Sequence, residues 1–158
     1  MKKKHRFTWI RLILSLSACA ICLGAVIFLN YMTEVMSDTV KSKEITELIS
    51  LRTDAMNGYF AGEIEFMHAS EQLHDVEMGD LLKEDLMNLK AFERTDIEIV
   101  ENYEITDVFF LKQNEDGVSA RVTVDWTVSG IEGKDQFTAT YEVSCQKHGE
   151  SLKLVDFF

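Results

Sequence analysis

Hydrophobic residues fall into three regimes along the chain: one unbroken apolar run, then groups at helical spacing, then strict alternation. The run from Leu12 to Met32 holds 21 residues without a charge. As a helix it would extend about 31 Å, enough to cross the hydrocarbon core of a bilayer. Trp9 and Tyr31 stand near its two ends, where amphipathic rings favour the headgroup zone. The polar segment from Thr33 to Glu44 then leads out of the membrane without a Gly/Ser/Pro linker.

Three- and four-residue steps follow. Ile45, Leu48, Ile49, Ala55, Met56, Tyr59 and Phe60 form one apolar helical face, and Asn57-Gly58 to Gly62 marks its fraying end. The pattern predicts a second helix across Glu63 to Leu73 with Ile64, Met67 and Ala69 facing inward. "VEMGD" interrupts it. Leu82, Leu86, Leu89 and Phe92 define a third face, ended by the polar break Glu93-Arg94-Thr95.

After Asp96 the period becomes two. "DIEIVENYEITDVFFLKQ" reads as a strand with a bend or bulge near Glu101-Asn102. In "VSARVTVDWTVSG", Val122, Val124, Trp126 and Val128 face one way and Arg121, Thr123, Asp125 and Thr127 the other. In "FTATYEVSC", Phe137, Ala139, Tyr141, Val143 and Cys145 oppose Thr138, Thr140, Glu142 and Ser144. "SLKLVDFF" completes the set. Asn114 to Gly117, with Gly117 supplying positive φ, Gly130 to Gly133, and His148 to Glu150 are the turns. Connections this short force antiparallel neighbours, and half-apolar strands need one covering layer. The expected fold is therefore α+β: an N-terminal transmembrane helix, then two or three helices packed on a curved four-stranded antiparallel sheet. The implied segments are a basic N-terminus over residues 1–11, the membrane helix over 12–32, a membrane-proximal segment over 33–44, and one α+β domain over 45–158.

Charge orients the chain. Lys2, Lys3, Lys4, Arg6 and Arg11 all precede the apolar run, and no acid does, which keeps the N-terminus cytoplasmic and puts the domain outside the cell membrane. Residues 33–158 keep 11 bases against 27 acids, a net −16. A body that acidic repels phosphate backbones and excludes nucleic acid as a partner. Within the run, Leu16-Ser17-Ala18-Cys19 has the form of a lipobox and Ala18-Cys19-Ala20 that of a cleavage site. Either cut would leave an apolar tail on the mature protein, so the uncut anchor is preferred, with lipidation at Cys19 and cleavage after Ala20 as the alternatives. Cys19 and Cys22 are small apolar helix residues in this reading, and Cys145 a buried strand thiol.

Helices first, then an antiparallel meander closing on "SLKLVDFF", resemble the nuclear-transport-factor-2-like (cystatin-like) α+β cone. With a basic N-terminus and one membrane helix, the layout is similar to the bitopic assembly subunits of type IV secretion and conjugation machines. The resemblance rests on element order, and it implies a cone presented to other envelope proteins. Enzymes that resemble this fold place an acid/base residue in the mouth of the cone, which makes Asp125, Tyr59 and Tyr103 the residues to examine. Asp125 lies on the polar side of its strand, and core packing accounts for the two tyrosines.

No constellation carries catalysis or a cofactor. His68 and His74 are six apart and do not share a helical face as a metal pair would, and Glu71 and Glu77 are unremarkable neighbours in so acidic a chain. His148 falls in a turn, and Asn114-Glu115-Asp116-Gly117 lacks the alternating oxygens of a calcium loop. The expected function is that of a membrane-anchored, non-catalytic interaction domain. Its candidate surfaces are the polar sheet face (Thr123, Asp125, Thr127, Thr138, Thr140, Glu142) and the apolar C-terminal strand Leu152 to Phe158. The alternative is a cone that holds a small ligand or performs acid/base chemistry.

Overall fold

The computed structural model describes residues 27, 29, 32, 38–92, 98–131 and 133–158. They belong to two units, Met1–Lys41 and Ser42–Phe158. In the first, Ile27, Leu29, Met32 and residues 38–41 are helical. Most of the expected membrane helix, with Trp9, Tyr31 and Cys19, lies outside the described residues. Among the described residues no helix is long and apolar enough to cross a membrane.

The second unit is α+β. Its three helices are α1 (residues 42–60), α2 (Phe66–Val76) and α3 (Gly79–Ala91). They are followed by β1 (Ile99–Gln113), β2 (Gly117–Gly130), β3 (Gly133–His148) and β4 (Ser151–Phe157). The strands form one antiparallel sheet in the order β1-β2-β3-β4. On β2 the alternation is strict: Val118, Ala120, Val122, Val124, Trp126 and Val128 are all buried, and Arg121 and Asp125 are exposed. The helices cover that buried face, with Ile45, Leu48, Ile49, Val76 and Leu81 packed into the same cluster as the valines. A second, smaller cluster of Ala55, Ala69, Leu73 and Leu89 holds the helices to one another, and Tyr59, Phe60 and Phe66 pack against it.

Four expectations need correction. α2 begins at Phe66 and not at Glu63, because a turn through Gly62 (φ 75°) intervenes. Met67 and Phe92, read as inward, are exposed, since Ala69, Leu73 and Val76 fill the inner side of α2 and Leu81 and Leu89 that of α3. Phe137 points to the expected side but stays 42% exposed. Gly117 is not in the positive-φ region; it is required because a Cβ there would lie 2.3 Å from the Cys145 carbonyl oxygen. The turn is shaped by Asn114, whose Oδ1 accepts the N–H groups of Asp116 (3.0 Å) and Gly117 (2.8 Å).

β1 carries three register breaks, between Val100 and Asn102, Ile105 and Asp107, and Phe110 and Lys112. Each inserts one residue and resets the period, so the inward side chains are Val100, Tyr103, Ile105, Val108 and Phe110 at alternating three- and two-residue steps. The bulge expected near Glu101-Asn102 is the first of these. The same resetting turns Phe109 and Leu111 outward.

α1 secures both ends of the sheet. The Val100 N–H of β1 donates to Asn57 Oδ1 (2.8 Å) while Asn57 Nδ2 donates to the Val100 carbonyl (2.9 Å), so the amide imitates a neighbouring strand. At the other edge the Leu152 N–H of β4 donates to Glu44 Oε1 (3.0 Å), and the Met78 N–H donates to the Leu154 carbonyl (2.9 Å). Glu44 and Asn57 are about 20 Å apart along a helix, whereas three strand spacings measure about 14 Å, so α1 crosses the strands obliquely. Asn57→Ala leaves both groups of Val100 without their partner. It is expected to lower unfolding free energy by about 1–3 kcal/mol and to speed exchange of the Val100 amide. Chemical denaturation with amide exchange tests this, and an unchanged Val100 exchange rate would refute the edge role.

Candidate interaction face

Helices cover one side of the sheet, and the other side meets solvent. All six residues expected on the polar face lie there in register. Asp125 stands opposite Thr138, Thr123 opposite Thr140, Thr127 opposite Gln136 and Arg121 opposite Glu142. The pairs are bonded: Thr138 Oγ1 donates to Asp125 Oδ1 at 2.6 Å, the Thr123 and Thr140 hydroxyls are 3.3 Å apart, and Gln136 Nε2 donates to Thr127 Oγ1 at 3.3 Å. Arg121 Nη2 donates to Glu142 Oε1 at 3.3 Å, and Ser119 and Ser144 join their hydroxyls at 3.1 Å. These links fix rotamers before any partner arrives, which lowers the ordering cost of association.

β1 and the chain end supply an apolar contribution that spacing alone missed. Phe109, opposite Arg121, is 59% exposed, and Phe158, whose backbone pairs with Glu142 by bonds of 2.7 and 3.2 Å, is 72% exposed. The row Phe109–Arg121–Glu142–Phe158 thus places a surface ion pair between two exposed rings. The signal for Phe109 was its position between two bulges, which an unbroken period of two conceals. The C-terminal strand divides its roles: Leu154 is fully buried, Phe157 is half-buried, and Phe158 lies open.

On the covered side, one ring from each strand forms a chain. Tyr103 lies 5.6 Å from Trp126, Trp126 lies 6.3 Å from Tyr141 edge-on, and Tyr141 lies 4.6 Å from Phe157. Tyr103 Oη donates to Asp54 Oδ1 at 3.2 Å, which ties this row to α1. Trp126 Nε1 is buried without an acceptor, a desolvation cost that its ring contacts offset. Tyr59 contributes to the helical cluster, edge-on to Phe60 and Phe66.

The row ends on a cation. The Arg52 guanidinium of α1 sits 4.6 Å above the Phe157 ring. Its Nε and Nη2 donate to Asp85 Oδ2 at 2.8 and 2.7 Å, and Nε also lies 2.9 Å from Glu77 Oε1. Glu77 and Asp85 are 1% and 2% exposed, so two carboxyl groups share one cation in the interior. Arg52 is aligned on Asp85, and no nitrogen is aligned on either Glu77 oxygen. Burial, followed by the charge of Asp85 and a hydrogen bond with it, pushes the Glu77 carboxyl up to about 8 against the opposing pull of Arg52. Burial and the neighbouring Asp85 thus favour the protonated form of Glu77.

His68, His74 and His148 are exposed, and no metal-binding group of His, Cys, Asp and Glu occurs among the described residues. Asp125 is an exposed acceptor for Thr138. Cys145 is free and buried; burial, then the Glu44 charge, pushes its thiol up to about 12. A shallow depression of about 190 Å³ lies by the β1–β2 turn, against Asn114, Ser119 and Gln146 and away from Glu77 and Trp126.

No protein-family model matches the chain, and no curated protein does. Among solved structures, the intermembrane space region of the chloroplast protein ARC6 is similar at 13% identity, with 73% of this chain and 93% of that one covered and a TM-score of 0.47. A de novo β-sheet design protein is similar at 15% identity over 73% of this chain and 87% of its own, with a TM-score of 0.39. Neither score reaches the level of a shared fold.

The cluster sets a pH dependence. Glu77 binds its proton more tightly folded (about 8) than unfolded (4.5), so its contribution is fully present below pH 4.5 and is lost as pH rises through 8. Unfolding free energy should fall by a few kcal/mol between about pH 5 and about pH 9, and Glu77→Gln should flatten that decline. Arg52→Met, which leaves two buried carboxyls without a cation, should cost about 3–5 kcal/mol. Urea titrations across pH measure all three, and an equally steep decline in Glu77→Gln would remove Glu77 as its source.

Proposed function

We propose that the chain is a membrane-anchored interaction domain that docks other envelope proteins through the uncovered face of its sheet, without catalysis. The observation that carries this reading is the pre-paired outer face, with Phe109 and Phe158 exposed on either side of the Arg121–Glu142 ion pair. Rigid aromatic area beside oriented polar groups is the composition from which the energetically dominant parts of protein interfaces are built. The uncharged run Leu12 to Met32 and the five bases before it support an anchored domain outside the cytoplasm. The resemblance in element order to secretion-machine assembly subunits supports the same role. The net −16 of residues 33–158 favours partners with basic surfaces and repels anionic lipid.

Photo-crosslinking of the full chain in its native membrane, from probes at positions 123 and 140, tests the reading. The expected product is an adduct with another envelope protein, recovered in fixed ratio. It should disappear in a Phe109→Ser, Thr140→Arg variant whose unfolding free energy stays within about 1 kcal/mol of the parent. Adducts that persist unchanged in that variant, or a chain that returns alone, would overturn it.

A further inference from the structure

The clasp between α1 and β1 is made by the only asparagine of the chain that precedes a glycine, Asn57-Gly58. Asn57 Nδ2 donates to the Val100 carbonyl at 2.9 Å, and Oδ1 accepts the Val100 N–H at 2.8 Å. The amide carbon of an asparagine, Cγ, can close a five-membered ring with the backbone nitrogen of the next residue. Where that residue is glycine, no side chain hinders the approach and the backbone turns freely to allow it. The nitrogen attacks Cγ, ammonia leaves, and a cyclic imide forms. Water then opens the ring at either carbonyl, giving aspartate or isoaspartate. The balance is amide plus water to acid plus ammonia, with no oxidant or metal.

The closed fold blocks this reaction twice. Both ends of the Asn57 amide are held on Val100, so Cγ cannot swing onto the main chain. Gly58 is buried in the last turn of α1, where helical geometry directs its N–H along the axis toward the carbonyl one turn back. Both restraints belong to a helix end. The Gly58 carbonyl accepts the N–H groups of Glu63 (2.8 Å) and Ile64 (3.2 Å) from the turn that follows, and such ends open at lower free energy than helix centres. The fold does not demand glycine at 58. Its φ is not positive, and a Cβ there would meet Ile64 Cδ1 at 3.4 Å, an ordinary contact.

We propose that Asn57 is a self-modification site: opening of the clasp exposes Cγ to the Gly58 nitrogen, and conversion to aspartate or isoaspartate makes that opening permanent. This goes beyond the docking reading and stands apart from it, because it concerns the bond between α1 and β1 and not the outer face. In the aspartate product a carboxylate oxygen replaces Nδ2 and confronts the Val100 carbonyl, two acceptors with no proton between them. In the isoaspartate product the main chain of α1 gains a methylene and the side chain is displaced from Val100. Either way the Val100 carbonyl loses its donor. The chemistry is slow beside the opening and closing of a helix end, so its rate follows the population of the open form. The converted fraction therefore records how long α1 has stood away from β1.

Peptide mass spectrometry of the full chain in detergent, held at neutral pH and sampled over time, reads the conversion as the mass gained when an amide becomes an acid at position 57. Native-state amide exchange at Val100 is followed in parallel. Across sub-denaturing concentrations of guanidinium chloride, conversion of Asn57 and exchange of Val100 are expected to rise by the same factor, toward the rate of the unfolded chain. Gly58→Ala keeps a good helix former at that position and should convert roughly tenfold more slowly than the parent when both are unfolded, because its methyl group hinders ring closure. Asn57→Asp, which builds one product directly, should speed Val100 exchange by roughly tenfold. An Asn57 that stays intact in the unfolded chain would overturn the proposal, as would equal rates folded and unfolded or a folded rate that ignores Val100 exchange. So would conversion in Gly58→Ala as fast as in the parent, or an Asn57→Asp chain whose Val100 amide stays as protected as before.

Discussion

Arg52 is the constraint on which the rest of the unit depends. On α1 it falls between Leu48 and Ile49, which serve the sheet core, and Ala55, which serves the helical core. Asp85 on α3 stands between Leu81 and Leu89, which belong to the same two cores, and Glu77 follows Val76 at the end of α2. One guanidinium thus bonds α1 to α3 where the two cores meet, lies against Glu77 just after α2, and rests on the Phe157 ring of β4 as well. A buried ion pair is a weak source of net stability, because desolvation consumes most of the attraction. Its value here is positional: three helices bearing apolar faces can slide past one another, whereas a fork of donors aimed at Asp85 admits one register.

Burial and the neighbouring Asp85 raise the proton affinity of Glu77, because two ionised carboxyls and one guanidinium would leave a net negative charge in the interior, at a cost of several kcal/mol. Glu77 also lies where α2 gives way to α3 and forms a parallel bridge to Leu154 of β4, so the helix connection is pinned to the sheet edge by backbone and side chain together.

The architecture was legible where one period held over a whole element. β2 alternates without exception, and its six buried residues follow directly from Val118 through Val128. The outer-face pairs follow from the same register. Where the period was interrupted, the pattern misled: three bulges in β1 place Phe109 and Leu111 outside, and a strand read at a period of two shows only one bulge. Met67 and Phe92 are apolar at inward spacing yet exposed, because smaller neighbours such as Ala69 already fill the contact. Glu77 and Asp85 were concealed differently. In a chain with 27 acids, nothing in spacing separates a buried carboxyl from a solvated one; only the encounter with Arg52 from a distant turn does so.

The edges of the sheet are treated unequally, and that asymmetry carries the last step. β1 has Asn57 against Val100, and β4 has Glu44 and Met78 against Leu152 and Leu154, so the helical layer bonds to each outermost strand at these points. The upstream part of β3 has no such cover among the described residues. It carries instead Asp135, which occupies the Gln136 N–H and sets a charge on the line of approach. That is how an open edge is kept from indiscriminate pairing. Backbone hydrogen bonds alone do not distinguish one strand from another, so any selectivity must come from side chains.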